Sequence, residues 1–167
     1  MRKIVIIFLF SLFAIASEIE IDAKIFPAIV KYDLKVNKKL VEKQIKISIL
    51  YQNSFKKRAK KLKKLIQQKY SVLIELIPQH LILQNLKNTT AIYIFNLDKT
   101  YLKYVVNFAK KRNLITFSDS PSLLQYGVTV SILNKRRVRP ILNRKIIKES
   151  NISFSSTLLK VSFIYEE

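Results

Sequence analysis

The chain contains no cysteine. Thiol nucleophiles, thiolate metal sites and redox sensing are therefore excluded, and the fold must rest on its core alone. A single histidine, His80, rules out a cluster of imidazole ligands and would make any Ser-His-Asp arrangement depend on one residue. His80 follows Pro78 and Gln79 at the end of an apolar run, a turn position, and reads as an ordinary surface residue. The one glycine, Gly127, is too few for a glycine-rich phosphate loop of either common kind. Acidic side chains are scarce too: 11 stand against 31 Lys+Arg in 167 residues, a formal charge of +20 at pH 7. Charge of that size bears on partners, solubility and association rate rather than on fold.

Arg2 and Lys3 precede an apolar run from Ile4 to Ile15 relieved only by Ser11. Ala14 and Ala16 stand at the −3 and −1 positions of an A-x-A site, so residues 1–16 read as a secretory signal peptide cut before Ser17. The run is shorter than the roughly 20 apolar residues that span a bilayer, so no stable membrane anchor is expected after cleavage. Loss of Arg2 and Lys3 takes the charge from +20 to +18. Export to the periplasm turns that charge away from nucleic acid, and the expected partner is an envelope protein with an acidic surface. It also makes the lack of cysteine informative, because an oxidising compartment is available and unused.

Residues 17–167 suit one domain with a proper core. Asp22 is a candidate N-cap for a short helix ending near Tyr32, with Pro27 expected only in or near its first turn. Ile45 to Tyr51 alternates and then fills with apolar residues, as a first buried strand should. Asn53 and Ser54 offer a cap for the next helix, on which Phe55, Ala59, Leu62, Ile66 and Tyr70 recur at spacings of three and four, one apolar stripe with everything else basic or polar. Ser71 to Ile77 predicts a second strand, Leu81 to Leu86 a short helix and Ala91 to Phe95 a third strand. Asp98 is the expected cap of a second amphipathic helix carrying Tyr101, Leu102, Val105, Phe108 and Ala109, and Leu114 to Phe117 follows as a fourth strand. Val128–Leu133 and Val138–Leu142 read as a hairpin. Asn143 would cap a short helix to Glu149, and Ser155-Ser156 a last one running through Leu158, Leu159 and Phe163. The order predicts an α/β fold: a single three-layer domain with a mainly parallel sheet, helices on both faces, and a C-terminal β-hairpin plus helices.

Leu114-Ile-Thr-Phe-Ser-Asp-Ser-Pro, Tyr126-Gly-Val-Thr-Val-Ser-Ile-Leu, Pro140-Ile-Leu-Asn and Phe154-Ser-Ser-Thr-Leu-Leu-Lys-Val together resemble the YfiR/HmsC-like family of bacterial periplasmic proteins. The opening segment from Ala23 to Leu34, the chain length and the signal peptide agree with that resemblance. Gly127 stands where the family pattern has a glycine before its hairpin, which suggests a backbone need such as a positive φ. The resemblance implies a small periplasmic regulator or accessory factor. Its best-understood members bind the periplasmic part of an inner-membrane diguanylate cyclase and hold it inactive.

No catalytic residue, cofactor or metal site is expected. The candidate partner contacts are two basic patches. One is the helix bearing Lys60, Lys61 and Lys64; the other gathers Arg136, Arg137, Arg139 and Arg144 at the hairpin tip and beyond, and arginine is the better reader of carboxylate and phosphate. Ser118, Asp119 and Ser120 follow a predicted parallel strand, where open α/β sheets place ligands, and are also good turn chemistry. Asn151 lies in an Asn-x-Ser acceptor with Glu149 two positions earlier, a possible glycosylation site in an exposed loop. Two other readings stay open: a scaffold component of a large envelope machine such as the flagellar motor, and a periplasmic anion-binding module. The sequence does not set the oligomeric state.

Overall fold

Period-two alternation builds the sheet in this computed structural model, which describes residues 18–134 and 138–166. The expected signal peptide, residues 1–16, and the hairpin-tip residues Lys135, Arg136 and Arg137 lie outside the described residues. In β1 (Lys46–Tyr51), Ile47, Ile49 and Tyr51 face one side while Leu50 faces the other. In β3 (Ala91–Phe95), Ala91, Tyr93 and Phe95 split from Ile92 and Ile94 in the same way, and all five are buried. A strand buried on both faces reads as a continuous apolar run, the mark of a central parallel strand.

β2 (Leu73–Pro78), β4 (Ile115–Ser118), β5 (Val130–Asn134), β6 (Val138–Asn143) and β7 (Phe163–Tyr165) complete one sheet of order β2-β1-β3-β4-β5-β6-β7. Pairs from β2 to β5 are parallel, β5 and β6 form the antiparallel hairpin, and β6 pairs β7 in parallel. The first five strands follow the 2-1-3-4-5 order of doubly wound sheets, whose connections reverse direction between β1 and β3. Helices α1 (Glu18–Lys31), α2 (Lys56–Gln67) and α6 (Ser156–Val161) cover one face. Helices α3 (Ile82–Asn85) and α4 (Lys99–Lys111) cover the other, and α5 (Arg144–Glu149) follows β6. The single three-layer α/β domain read from the sequence is therefore the fold observed.

Four local expectations need correction. Helix α1 begins at Glu18, so Asp22 lies inside the helix instead of capping it, and Pro27 sits in its interior. An interior proline costs a helix about 3 kcal/mol or more. Here Ile19, Ala23, Phe26 and Val30 form a buried stripe across it, and Phe26 packs on Tyr93 and Phe117 at ring-centroid distances of 5.5 and 4.9 Å. Tertiary burial outweighs the local penalty. Asp98 stands at the N-cap of α4 without a side-chain capping bond, because its carboxylate accepts from the side-chain amides of Gln52 and Gln79. Asn53 and Ser54 form a 3-10 turn before α2 and give it no side-chain cap. Finally, the last helix stops at Val161, and Phe163 opens a seventh strand.

Asn143 and Ser155 do cap α5 and α6, accepting from the backbone N–H of Ile146 at 3.2 Å and Leu158 at 3.4 Å. Gly127 adopts φ +96°, and a Cβ there would meet Val106 Cγ1 at 2.7 Å. Positive φ and close approach both apply at this one position.

Candidate functional site

The carboxyl ends of β1, β3 and β4 open onto a groove of about 410 Å³ lined by Phe55, Arg58, Asn96, Asp119, Ser120, Pro121, Ser122 and Leu123. Its place at the switch between β1 and β3 follows from the strand order. Arg58, in the first turn of α2, donates to Asp119 Oδ2 at 3.0 Å. The guanidinium lies 5.5 Å from the Phe95 ring centroid and 5.8 Å from that of Phe55. Glu18 approaches the same guanidinium at 3.7 Å. The groove thus combines a fixed cation, a partly exposed carboxylate and two hydroxyls, with Ser120 and Ser122 linked at 2.8 Å.

Behind it lies an acid pair that no spacing in the sequence announced. Asp22, 3% exposed, meets the Tyr93 hydroxyl through Oδ2 at 2.6 Å. Burial pushes the Asp22 carboxyl up to about 7; the Tyr93 hydrogen bond opposes this and the nearby Asp119 charge adds to it. Asp119 is raised as well, by burial first, with Arg58 lowering it and Glu18 raising it. Both carboxyls line a small crevice with Glu18, Ile21 and Ile132. The missed signal was one acid set on the apolar stripe of α1. A carboxylate at such a position is buried with the stripe, and burial disfavours its charged form.

Of the three expected strand-end residues, Asp119 and Ser120 line the groove and Ser118 does not. Ser118 is fully buried at the end of β4, donating to Ile94 O at 3.0 Å and accepting from Ser120 N at 3.2 Å. Its hydroxyl shapes the turn from beneath.

The second surface is the β6–β7 edge. Among the described residues, Leu159, Val161, Phe163 and Ile164 are each between 44 and 53% exposed, with Val138 at 38% at the start of β6. Arg139 lies over the Phe163 ring at 5.3 Å from its centroid, and exposed Arg144 pairs with Glu166. Two of the four expected arginine contacts, Arg139 and Arg144, therefore flank an apolar strip formed by the end of α6 and by β7. Arg136 and Arg137 fall outside the described residues.

Lys60, Lys61 and Lys64 are exposed on α2, whose Ala59, Leu62 and Ile66 are buried. They stand apart from the arginine edge, because α2 packs beside β1 and β2 at the other end of the sheet. Asn151 is exposed in the turn after α5, at φ +48°, and its Oδ1 accepts from Lys35 Nζ at 2.8 Å. Among the described residues no helix is long and apolar enough to cross a membrane.

A family model described as YfiR/HmsC-like matches residues 20–162. No significant match was found among curated proteins. Among solved structures, the fold resembles the ligand-free, open form of CD0873, a substrate-binding protein with adhesive properties from Clostridium difficile. The TM-score is 0.60 at 13% identity, covering 82% of this chain and 59% of that one. An ABC domain from Streptococcus pneumonia solved with L-Trp gives a TM-score of 0.57 at 13% identity over 82% and 62% of the two chains. A conserved domain protein from Vibrio cholerae gives 0.54 at 11% identity over 83% and 60%. The chain thus spans about three fifths of these structures, and the likeness concerns the fold.

Proposed function

Because the chain belongs to the YfiR/HmsC-like family, whose members are periplasmic regulators acting through an inner-membrane protein, we propose that it is exported and binds such a protein through its β6–β7 edge. The observation that carries this reading is the concentration of exposed Leu159, Val161, Phe163 and Ile164 beside Arg139 and Arg144. An apolar centre with arginine at its margin is the composition of a protein-binding surface. The basic margin selects a partner with acidic groups around an apolar strip. By family, that partner is the periplasmic part of a diguanylate cyclase, held inactive while bound. Residues 1–16 supply the export signal in this reading, and no bond-making chemistry is assigned to the chain.

Deletion of the gene is expected to raise cyclic-di-GMP, and the wild-type chain to restore it. A Phe163→Glu/Ile164→Glu double variant should fold, as judged by circular dichroism, yet fail to restore the level or to retain the membrane protein in crosslinked pull-downs. Unchanged cyclic-di-GMP on deletion, with failed assembly of an envelope machine, would overturn the cyclase assignment in favour of a scaffold.

A second reading concerns the strand-end groove. Arg58, Asp119, Ser120 and Asn96 offer opposite charges, a hydroxyl and an amide over an aromatic floor, a fit for a small polar effector that modulates the protein contact. Calorimetric titration of Arg58→Ala against wild type with pooled periplasmic metabolites tests it, since an effector held by the guanidinium would be lost in the variant.

A further inference from the structure

Helix α2 breaks two electrostatic rules at once. Its twelve residues, Lys-Lys-Arg-Ala-Lys-Lys-Leu-Lys-Lys-Leu-Ile-Gln, contain seven cations and no acid. Lys56–Lys60, Lys60–Lys64 and Lys57–Lys61 are like charges four residues apart, which repel along the helix instead of supporting it. Lys56, Lys57 and Arg58 occupy the first turn, where the helix dipole favours negative charge. Neighbouring acids relieve little of this. Glu18 and Asp119 engage Arg58, Glu20 reaches Lys61 at 3.9 Å, and Glu42 and Glu75 border a concavity shared with Lys63. Beyond the helix, exposed Lys24 and Lys31 on α1 and Lys69 extend the basic face, with Lys31 Nζ 5.3 Å from the Tyr70 ring centroid. Local rules broken with internal compensation for only part of the row mark a surface kept for something outside the molecule.

The residue types indicate what that is. The row is almost wholly lysine, a compact charge on a flexible stem, whereas bidentate recognition of a protein carboxylate favours arginine. Lysine is also depleted from protein interfaces, which need aromatic or apolar anchors, and the apolar residues of α2 that are fully buried, Ala59, Leu62 and Ile66, face inward. A broad lysine face with no anchor fits a fluid array of phosphates. Lys60, Lys63 and Lys64, with Gln67 and Gln68, border a shallow dent of about 420 Å³. We propose that α2 lays the protein on the surface of an anionic phospholipid bilayer, by charge alone and without insertion. Such docking would hold a periplasmic regulator beside a membrane while leaving the β6–β7 edge, at the other end of the sheet, free for protein.

The test is sedimentation of the purified chain with vesicles of phosphatidylglycerol and phosphatidylethanolamine, or of phosphatidylcholine alone. Binding is expected only to the anionic vesicles at about 50 mM salt and should vanish near 500 mM, where screening falls to a few ångströms. Each lysine near an anionic surface is worth about a fivefold factor in binding. A Lys56→Gln/Lys60→Gln/Lys64→Gln variant should therefore bind roughly a hundredfold more weakly. The charge-matched Lys99→Gln/Lys103→Gln/Lys111→Gln variant, altered on α4 across the sheet, should stay within about threefold of wild type. Equal loss in both variants would reduce the effect to net charge and overturn the proposal. So would failure of wild type to bind the anionic vesicles, leaving the row to an acidic protein surface. Circular dichroism on each variant keeps a folding defect separate from a binding one.

Discussion

Asp22 holds its proton well above the range of a free carboxylate. Below about pH 4 both the folded and unfolded chains are protonated there; between 3.8 and about 7 only the folded one is. The native state then binds the extra proton, so the stability this residue confers falls as pH rises through that window and is flat above it. With roughly 1.4 kcal/mol per pKa unit over a shift of about three units, the loss is on the order of 4 kcal/mol. Asp119 is shifted in the same direction and adds to the slope. Asp22→Asn keeps an acceptor for the Tyr93 hydroxyl and should raise Tm at pH 8 while leaving it nearly unchanged at pH 4. Parallel pH profiles of Tm for the two proteins would refute the assignment. Gly127→Ala is the second test at this scale: a left-handed φ and the 2.7 Å approach to Val106 should lower stability by about 1–3 kcal/mol in denaturant melts. The need for glycine at that position was legible in the sequence, because a chain with one glycine does not place it idly. The burial of Asp22 was legible only as a lone acid on an apolar stripe.

At the scale of elements, the long amphipathic helices and the central strands agree closely with their sequence patterns. Ala59, Leu62 and Ile66 of α2 and Leu102, Val105 and Ala109 of α4 are the buried positions that a period of 3.6 selects. The errors fall where neighbours across the fold outweigh local preference. Pro27 is carried inside α1 because Phe26, Ile29 and Val30 on the same helix are buried. Phe163 to Tyr165 became β7 because the edge of β6 was available to pair, with Ile141 opposite Phe163 and Leu142 opposite Ile164. Three half-exposed residues at a sheet margin hold little of the core. Truncation after Ser162 is accordingly expected to cost only about 1–2 kcal/mol in thermal melts, while removing partner binding altogether. A collapse of the fold on truncation would instead make β7 structural.

For the whole molecule the governing quantity is charge. A formal +20, or +18 without Arg2 and Lys3, should steer encounter with an acidic partner. The association rate is expected to fall at least tenfold between about 50 and 500 mM salt, with the dissociation rate changing far less, in stopped-flow or surface-binding kinetics. Salt-independent association would mean that the charge plays no part in partner encounter. Composition and pattern alone determined the class of this protein: no cysteine chemistry, one α/β domain, a mainly parallel sheet with a C-terminal hairpin, and two basic regions. These are properties of single residues and of their periodicity, which the chain carries before it folds. The tertiary structure alone decided which side chains meet. It set Asp22 beside Tyr93, joined Arg58 to Asp119 across sixty-one positions of sequence, and laid Arg139 over Phe163. Contacts between segments so far apart depend on strand order and on the face each residue takes in the sheet, and neither is fixed until the strands have paired.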